Sequence, residues 1–488
     1  MNLYLIGHDY RYAAEQMLLT LFPDERPEYP DGRPTGDRAE LRLMSGTKVT
    51  TVTCVLVYHG QTANGRTSVP NGELTDPAEK DRRLQGAIKR AFYRAAMGIG
   101  LPHRPWGMLT GVRPGKLMTP LLAQGLNDAQ AARQFERQYD VSPARADLVV
   151  RTAHATLRAM ESLGEKDVCL YVGIPFCPTR CAYCSFVSQS VEKSMALVPE
   201  FLQALAREIA ATAEAVRKAG LRVVSLYIGG GTPTTLSARQ LDALCTQLAA
   251  AFDLSALREF TVEAGRPDTI TADKLQVLRA HRVDRISVNP QTLSDRVLDT
   301  IGRRHTAQDI YDALRLVRET GGFAVNMDLI AGLPGDTPDG FRATLEQVLA
   351  LAPENITVHT LSRKRGSNLM AQDAPIPDGA AVGEMLDFAG TVLPRAGYAP
   401  YYLYRQKFMS GGFENVGWTR PGQENLYNIC IMEELCSILA MGGGASTKLV
   451  RPNGGRLERH IDPKYPTEYI ANIDRICAAK AELEAFFQ

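Results

Sequence analysis

No apolar run in this chain approaches the ~18–20 residues that a membrane-spanning helix needs. Its opening, Met1–Gln16, lacks a basic start followed by an apolar stretch, so no secretory signal is expected. Charge of one sign is not in excess either. The 55 Lys and Arg against 54 Asp and Glu give a formal net charge of +1, which is no global hint of nucleic-acid or membrane binding. Internal repeats and low-complexity segments are missing. The nine cysteines are an odd number, with three of them crowded together, which fits a reducing cytosol better than a disulfide scaffold. The other six, Cys54, Cys169, Cys245, Cys430, Cys436 and Cys477, read by default as buried, inert thiols.

What is present is an ordinary globular composition, 45% hydrophobic and 22% charged over 488 residues, long enough for two or three domains. From residue 168 onward, short β-branched runs alternate with amphipathic stretches. The runs are Val168–Phe176, Val223–Ile228, Glu259–Glu263, Asp284–Val288, Ala324–Ile330 and Asn355–Leu361. Helical periodicity fills the gaps, as in EFLQALAREIAATAEAVRKAG and ARQLDALCTQLAAAF. Such alternation predicts a parallel sheet with helical crossovers. Six units are two short of a closed barrel, so the expected fold class is α/β, an open six-unit partial TIM barrel over residues 166–362. An α+β N-terminal domain, 1–165, precedes it, with antiparallel strands expected in AELRLMSG and KVTTVTCVLVYHG. A small α+β C-terminal region, 363–488, follows and is expected to cover the barrel mouth.

The chemistry concentrates in Cys177-Pro-Thr-Arg-Cys181-Ala-Tyr-Cys184, on a loop after the first barrel strand. Structural thiols or part of a zinc site would also place cysteines at short spacings. A zinc site would need a fourth Cys or His nearby, and the flanking histidines, His154 and His281, are remote. An iron–sulfur cubane takes four thiolates, one per iron. Three on one loop point to a 4Fe–4S cluster with an open iron, which suits chelation by S-adenosylmethionine (SAM). The other unusual residues fall at the C-terminal ends of successive strands, where parallel barrels carry their chemistry. Gly229–Thr234 follows the second strand, Glu263 ends the third, Asn289 and Gln291 follow the fourth, Asp328 lies near the end of the fifth, and His359 is in the sixth. The glycine run is neither a Walker loop nor a Gly-x-Gly-x-x-Gly motif. Lacking Cβ atoms, it lets backbone approach a ligand. A carboxylate such as Asp328 can accept ribose hydroxyl protons, Gln291 can donate and accept, and Arg303 offers a fork for a carboxylate.

The string YVGIPFCPTRCAYCSF resembles the cluster loop of the radical SAM superfamily, specifically its oxygen-independent coproporphyrinogen III oxidase group. VEAGRPDT, SVNPQTLSDRVLDTIGRRHT and NMDLIAGLPGDTPDGF look like successive motifs of that group. The strings YRQKFMSGGFENVGW and GGGAS, with GHDYRYAAEQMLLTLFP, look closest to its HemZ branch. By this resemblance Cys177, Cys181 and Cys184 ligate the cluster, and Tyr171, Gly230 and Glu263 bind SAM. Tyr183, Gly231, Thr232, Gln291, Arg303 and Asp328 match a second SAM position used in the group, with Ser362 and Thr447 aligning less closely. The implied reaction is oxidative decarboxylation of coproporphyrinogen III to protoporphyrinogen IX in haem synthesis. It implies a 4Fe–4S cluster, SAM, a tetrapyrrole substrate, reduced flavodoxin or ferredoxin as electron donor, and a cytoplasmic, membrane-free setting.

Arg405 and Lys407 of YRQK are candidate contacts for the substrate carboxylates, weighed against plain surface charges on a strand. Two departures stand out: Gly173 occupies a position where the oxidase motif has His, and Phe186 one where it has a further Cys. They keep open a haem carrier that retains the cofactors without the decarboxylase activity. A radical SAM enzyme acting on another tetrapyrrole or on RNA is a third reading. It is motivated by eight Lys or Arg and no acid between Arg82 and Lys116, although no RNA-binding signature accompanies them.

Overall fold

The computed structural model describes residues 1–184, 189–190, 194–362, 375–406, 410–451 and 457–487; Phe186 and Lys407 lie outside these. The chain divides into two compact units, one of residues 1–112 with 126–147, the other of 113–125 with 148–488.

In the first unit, strands β1 (Asn2–Ile6), β2 (Arg38–Ser45), β3 (Val49–Tyr58) and β4 (Gln61–Pro70) form a sheet in sequential order. Strand β1 pairs parallel to β2, and the remaining pairs are antiparallel. Alternation along β3 turns Val52, Cys54 and Leu56 inward, where Met17 and Leu18 of helix Arg11–Leu21 and Ile88 and Phe92 of helix Pro77–Gly98 join them. The basic stretch is largely spent on local partners. Arg82 and Arg83 bond Glu79, Lys89 bonds Thr110, and Arg90, Arg94 and Arg104 donate to the carbonyls of Gln138, Arg66 and Leu21. Arg113 and Lys116, in the second unit, both pair with Glu434.

The second unit is built on an eleven-stranded sheet. Its centre is β5 (Asp167–Ile174), β8 (Arg222–Gly230), β9 (Glu259–Glu263), β10 (Arg285–Ser287), β11 (Ala324–Ala331) and β12 (Asn355–Thr360), neighbours in chain order and all parallel. These are the six expected strands of the partial barrel, shifted by no more than two residues at any end. A two-stranded pair, β6 (Phe176–Cys177) with β7 (Gln189–Ser190), brackets the cysteine loop. Three of the crossover helices open on side-chain caps: Ser237 with Gln240, Thr306 with Asp309, and Thr337 with Gly340.

The C-terminal segment contributes strands to this same sheet at both edges. At one edge β14 (Glu414–Thr419) pairs antiparallel with β12, and β13 (Ala399–Arg405) with β14. At the other, β15 (Ser437–Gly442) runs parallel to β5, followed by β16 (Ser446–Leu449) and β17 (Glu458–Ile461). Behind β15 lies a buried polar knot. Glu208, fully buried, accepts the Gly442 N–H at 2.8 Å and the Tyr469 hydroxyl. Its other oxygen lies 2.9 Å from Lys480 Nζ, which also donates to the Ala440 carbonyl at 2.6 Å. Removing one member of a buried ion pair strands its partner's charge at a cost of about 3–5 kcal/mol. Lys480→Met is therefore expected to lower stability by about that much in urea unfolding; a loss no larger than a surface substitution's would show that the knot is dispensable.

Candidate active site

The C-terminal ends of the six parallel strands surround a cavity of about 390 Å³. Twelve residues singled out from the sequence for the cluster and SAM line it: Cys177, Cys181, Cys184, Tyr171, Tyr183, Gly230, Gly231, Thr232, Glu263, Gln291, Arg303 and Asp328. So do Asn289, His359 and Ser362. Arg405 does not. On β13 the alternation turns Tyr402 and Tyr404 into the cavity and Arg405 away from it, where Arg405 donates to the Gly412 carbonyl at 2.7 Å. Burial pushes its guanidinium down to about 10. Thr447 is also elsewhere, fully buried on β16 and bonded to the Ala440 backbone.

The cysteine loop is pinned by main chain. Gly231 N–H donates to the Ile174 carbonyl at 2.8 Å and Thr232 N–H to that of Phe176 at 2.7 Å. A Cβ on Gly231 would sit 2.5 Å from the Phe176 oxygen and 2.9 Å from Cys177 Sγ, so only glycine allows this approach. Thr232 Oγ1 in turn lies 3.4 Å from Cys177 Sγ. Arg266 Nη1 is 3.7 Å from Cys181 Sγ. Burial pushes the Cys181 thiol up, but the charges of Arg303 and Arg266 outweigh it and hold the thiol below its usual range.

Across the cavity the polarity reverses. Glu263 accepts the Tyr227 hydroxyl at 2.7 Å and the Gly230 N–H at 3.2 Å. Burial, helped by the charge of Asp328, pushes its carboxyl up to about 7. For Asp328, burial also pulls upward, but His359, at 3.8 Å, and Asn326, donating at 2.8 Å, keep it below the usual carboxylate range. Gln291 is held at φ +66°, left-handed, by two main-chain bonds to β11, a strained backbone of the kind that collects at functional sites. The terminal nitrogens of Arg303 are taken by the carbonyls of Asn289, Pro290 and Gly265. Its fork is therefore already occupied, and its Nε is unpartnered among the described residues.

Tyr171, Tyr227 and Tyr427 form a stacked floor, the last two 4.4 Å apart. Tyr227, Arg266, Tyr402 and Tyr404 were not singled out from the sequence. Their signals were the in-phase pairing of Tyr171 with Tyr227, the Arg inside VEAGRPDT, and the alternation in YYLYR.

The residues present fit an iron–sulfur cluster with a bound sulfonium zwitterion. Three thiols converge on one wall beside two cations. On the other wall, a partly proton-bearing carboxyl and a carboxylate face the same space.

Residues 171–348 match the radical SAM superfamily. The chain is 39% identical over 421 residues to the oxygen-independent coproporphyrinogen-III oxidase-like protein HemZ of Bacillus subtilis, covering 85% of this chain and 84% of that protein. It is 29% identical to the heme chaperone HemW of Lactococcus lactis, over 66% of this chain and 80% of that one. Among solved structures, coproporphyrinogen III oxidase (HemN) from Escherichia coli, a radical SAM enzyme, superposes with a TM-score of 0.52 at 25% identity, over 66% of this chain and 72% of that one.

Because the Gly231 contact sets the position of Cys177, Gly231→Ala is expected to cut the iron retained after anaerobic reconstitution severalfold while circular dichroism stays unchanged. Full iron loading in the variant would show that the loop can shift without loss.

Proposed function

The chain belongs to the radical SAM superfamily, in its branch of oxygen-independent coproporphyrinogen-III oxidase-like proteins, and on that premise we propose that it converts coproporphyrinogen III to protoporphyrinogen IX. The observation that carries this reading is one cavity in which a three-thiol loop, a graded carboxylate pair and the aromatic wall of Tyr402 and Tyr404 meet. Each of two propionates would lose a hydrogen atom, carbon dioxide and one electron to become a vinyl group. When bound, the cluster and SAM would supply the hydrogen-abstracting radical, the cluster's electron being spent on cleaving SAM, and the electron released with each carbon dioxide would pass to a one-electron acceptor.

In this reading Cys177, Cys181 and Cys184 hold three irons, and Arg266 and Arg303 stabilise the thiolate of Cys181. Glu263, with the Gly230 backbone beside it, takes the ammonium of SAM. Asp328, ordered by Asn326 and His359, accepts from ribose hydroxyls, and Tyr171 floors the site. Gly231, Thr232, Gln291 and Tyr183 shape the neighbouring wall, where a second SAM would sit. Reduced flavodoxin or ferredoxin is the proposed electron donor. Among the described residues no helix is long and apolar enough to cross a membrane, and the local pairing of the basic stretch counts against an RNA substrate.

A haem-carrier reading is favoured by one specific observation. At Gly173, where the oxidase motif has His, a Cβ would lie 3.0 Å from the Gly443 carbonyl and 3.3 Å from the Tyr171 ring. The position is shaped for glycine, so the imidazole of the oxidase motif has no counterpart here.

An anaerobic assay of reconstituted protein with SAM, a reductant and coproporphyrinogen III separates the two. Protoporphyrin and 5′-deoxyadenosine rising together establish the oxidase. Stoichiometric haem binding without protoporphyrin replaces it with the carrier. Cys181→Ala is expected to abolish both the brown absorbance and SAM cleavage with the fold retained, and survival of either activity refutes the cluster assignment. The ammonium of SAM needs Glu263 ionised, so affinity should climb as pH rises through about 7. It should fall again as the SAM amino group loses its proton near pH ~8. Calorimetric titration of Glu263→Gln should show weaker binding without the rising limb; an unaltered profile would remove Glu263 from the ammonium site.

A further inference from the structure

The six cysteines outside the loop do not all behave as scattered core thiols. Cys169 on β5, Cys430 on the helix Leu426–Glu433 and Cys436, one residue before β15, bring their sulfurs within 4.8 Å of one another. The Cys169 and Cys436 sulfurs are 3.6 Å apart. We propose that these three thiols form a second metal site, separate from the cluster loop, for a single soft monovalent d10 cation of the Cu(I) type.

The spacing supports ligation. Three sulfurs around one ion at about 2.3 Å stand about 3.8–4.0 Å from each other, whereas a disulfide closes to about 2.05 Å. The surroundings decide the ion. Val224, Ile438 and Tyr427 pack around the trio, and Cys169 and Cys430 are fully buried. Thiol sulfur in an apolar wall selects soft ions over hard ones. A closed zinc site takes four ligands, and among the described residues no fourth His, Cys, Asp or Glu atom joins the three. Charge argues the same way, because uncompensated charge in an apolar pocket is costly. A monovalent ion bound by one thiolate, with the other two thiols as neutral sulfur donors, displaces a single proton to water and leaves the pocket neutral.

The site is distinct from the cluster and has its own way in. Tyr171, two residues beyond Cys169 on β5, lines the main cavity, and Tyr427, packed on the trio, stacks against its ring. On the other side, Cys436 lines a second cavity of about 800 Å³ with Asp167 and Ser437, the first residues of β5 and β15. That cavity opens at the N-terminal ends of these strands, opposite the end that carries the cysteine loop. An ion held there would tie β5, which leads into the cluster loop, to the helix and strand of the C-terminal segment.

The test uses the full-length chain with Cys177, Cys181 and Cys184 replaced by alanine, so that no cluster competes. Under anaerobic conditions, Cu(I) is titrated against the chelator bathocuproine disulfonate. One Cu(I) per chain should pass to the protein, with a sulfur-only environment in X-ray absorption. Adding Cys430→Ala or Cys436→Ala should weaken uptake by at least about tenfold. Should those variants misfold, alkylation mapping of the parent decides: one equivalent of Cu(I) should protect Cys436 and leave labelling of Cys477 unchanged. No transfer from the chelator, uptake indifferent to the trio, or protection absent at Cys436 would overturn the site. Zn(II) uptake at the trio without Cu(I) uptake would overturn the monovalent assignment.

Discussion

The site depends on backbone meeting backbone at distances that leave no room for a Cβ. Gly231 seats against Phe176 and Cys177, and on the opposite flank Gly173 passes the Gly442–Gly443 segment. These contacts hold the cysteine loop through main-chain hydrogen bonds at 2.7–2.8 Å, which leaves the thiols themselves available as ligands. They exist because β5 runs parallel between β8 and β15, its register with β8 continuous from Cys169 to Ile174 after a one-residue shift at Val168. The Glu208–Lys480 knot fixes β15 from behind through the Gly442 N–H. Packing far from the cavity is thus coupled to the position of the loop.

Upon that scaffold the cavity carries a separation of charge. Arg266 and Arg303 stand beside the Cys181 thiol, and Glu263 and Asp328 line the same cavity. Partners drive the two carboxyls apart, one up to about 7 and the other below the usual range, a division by environment rather than by residue type. A ligand with a cationic end and neighbouring hydroxyls meets complementary groups without rearrangement, so ordering costs fall on the protein's folding rather than on binding.

The neighbourhood of β13 shows how one residue of parity matters. Tyr404 and Arg405 are adjacent in sequence, yet only Tyr404 faces the cavity, and Arg405 is spent on the Gly412 carbonyl. The basic character of YRQK was visible, but which of its side chains faces inward was set by the pairing of β13 with β14, and a bulge between Pro400 and Tyr402 shifts that register. Arg303 teaches the same lesson: its fork was read from the sequence as open, and the fold closes it with three carbonyls.

Local signals were strong where each strand–helix unit obeys its own periodicity. Six β-branched runs and the caps between them specify the six parallel strands, and the cysteine spacing specifies the loop chemistry, because both depend on residues a few positions apart. The C-terminal strands at both sheet edges and the stacking of Tyr171, Tyr227 and Tyr427 were decided only by tertiary structure. So was the gathering of Cys169, Cys430 and Cys436. These unite segments more than two hundred residues apart, and no short-range pattern encodes which distant strand will supply the neighbour. Sequence by itself determined which groups the chain can bring to chemistry; the sheet's order and register determined which of them meet.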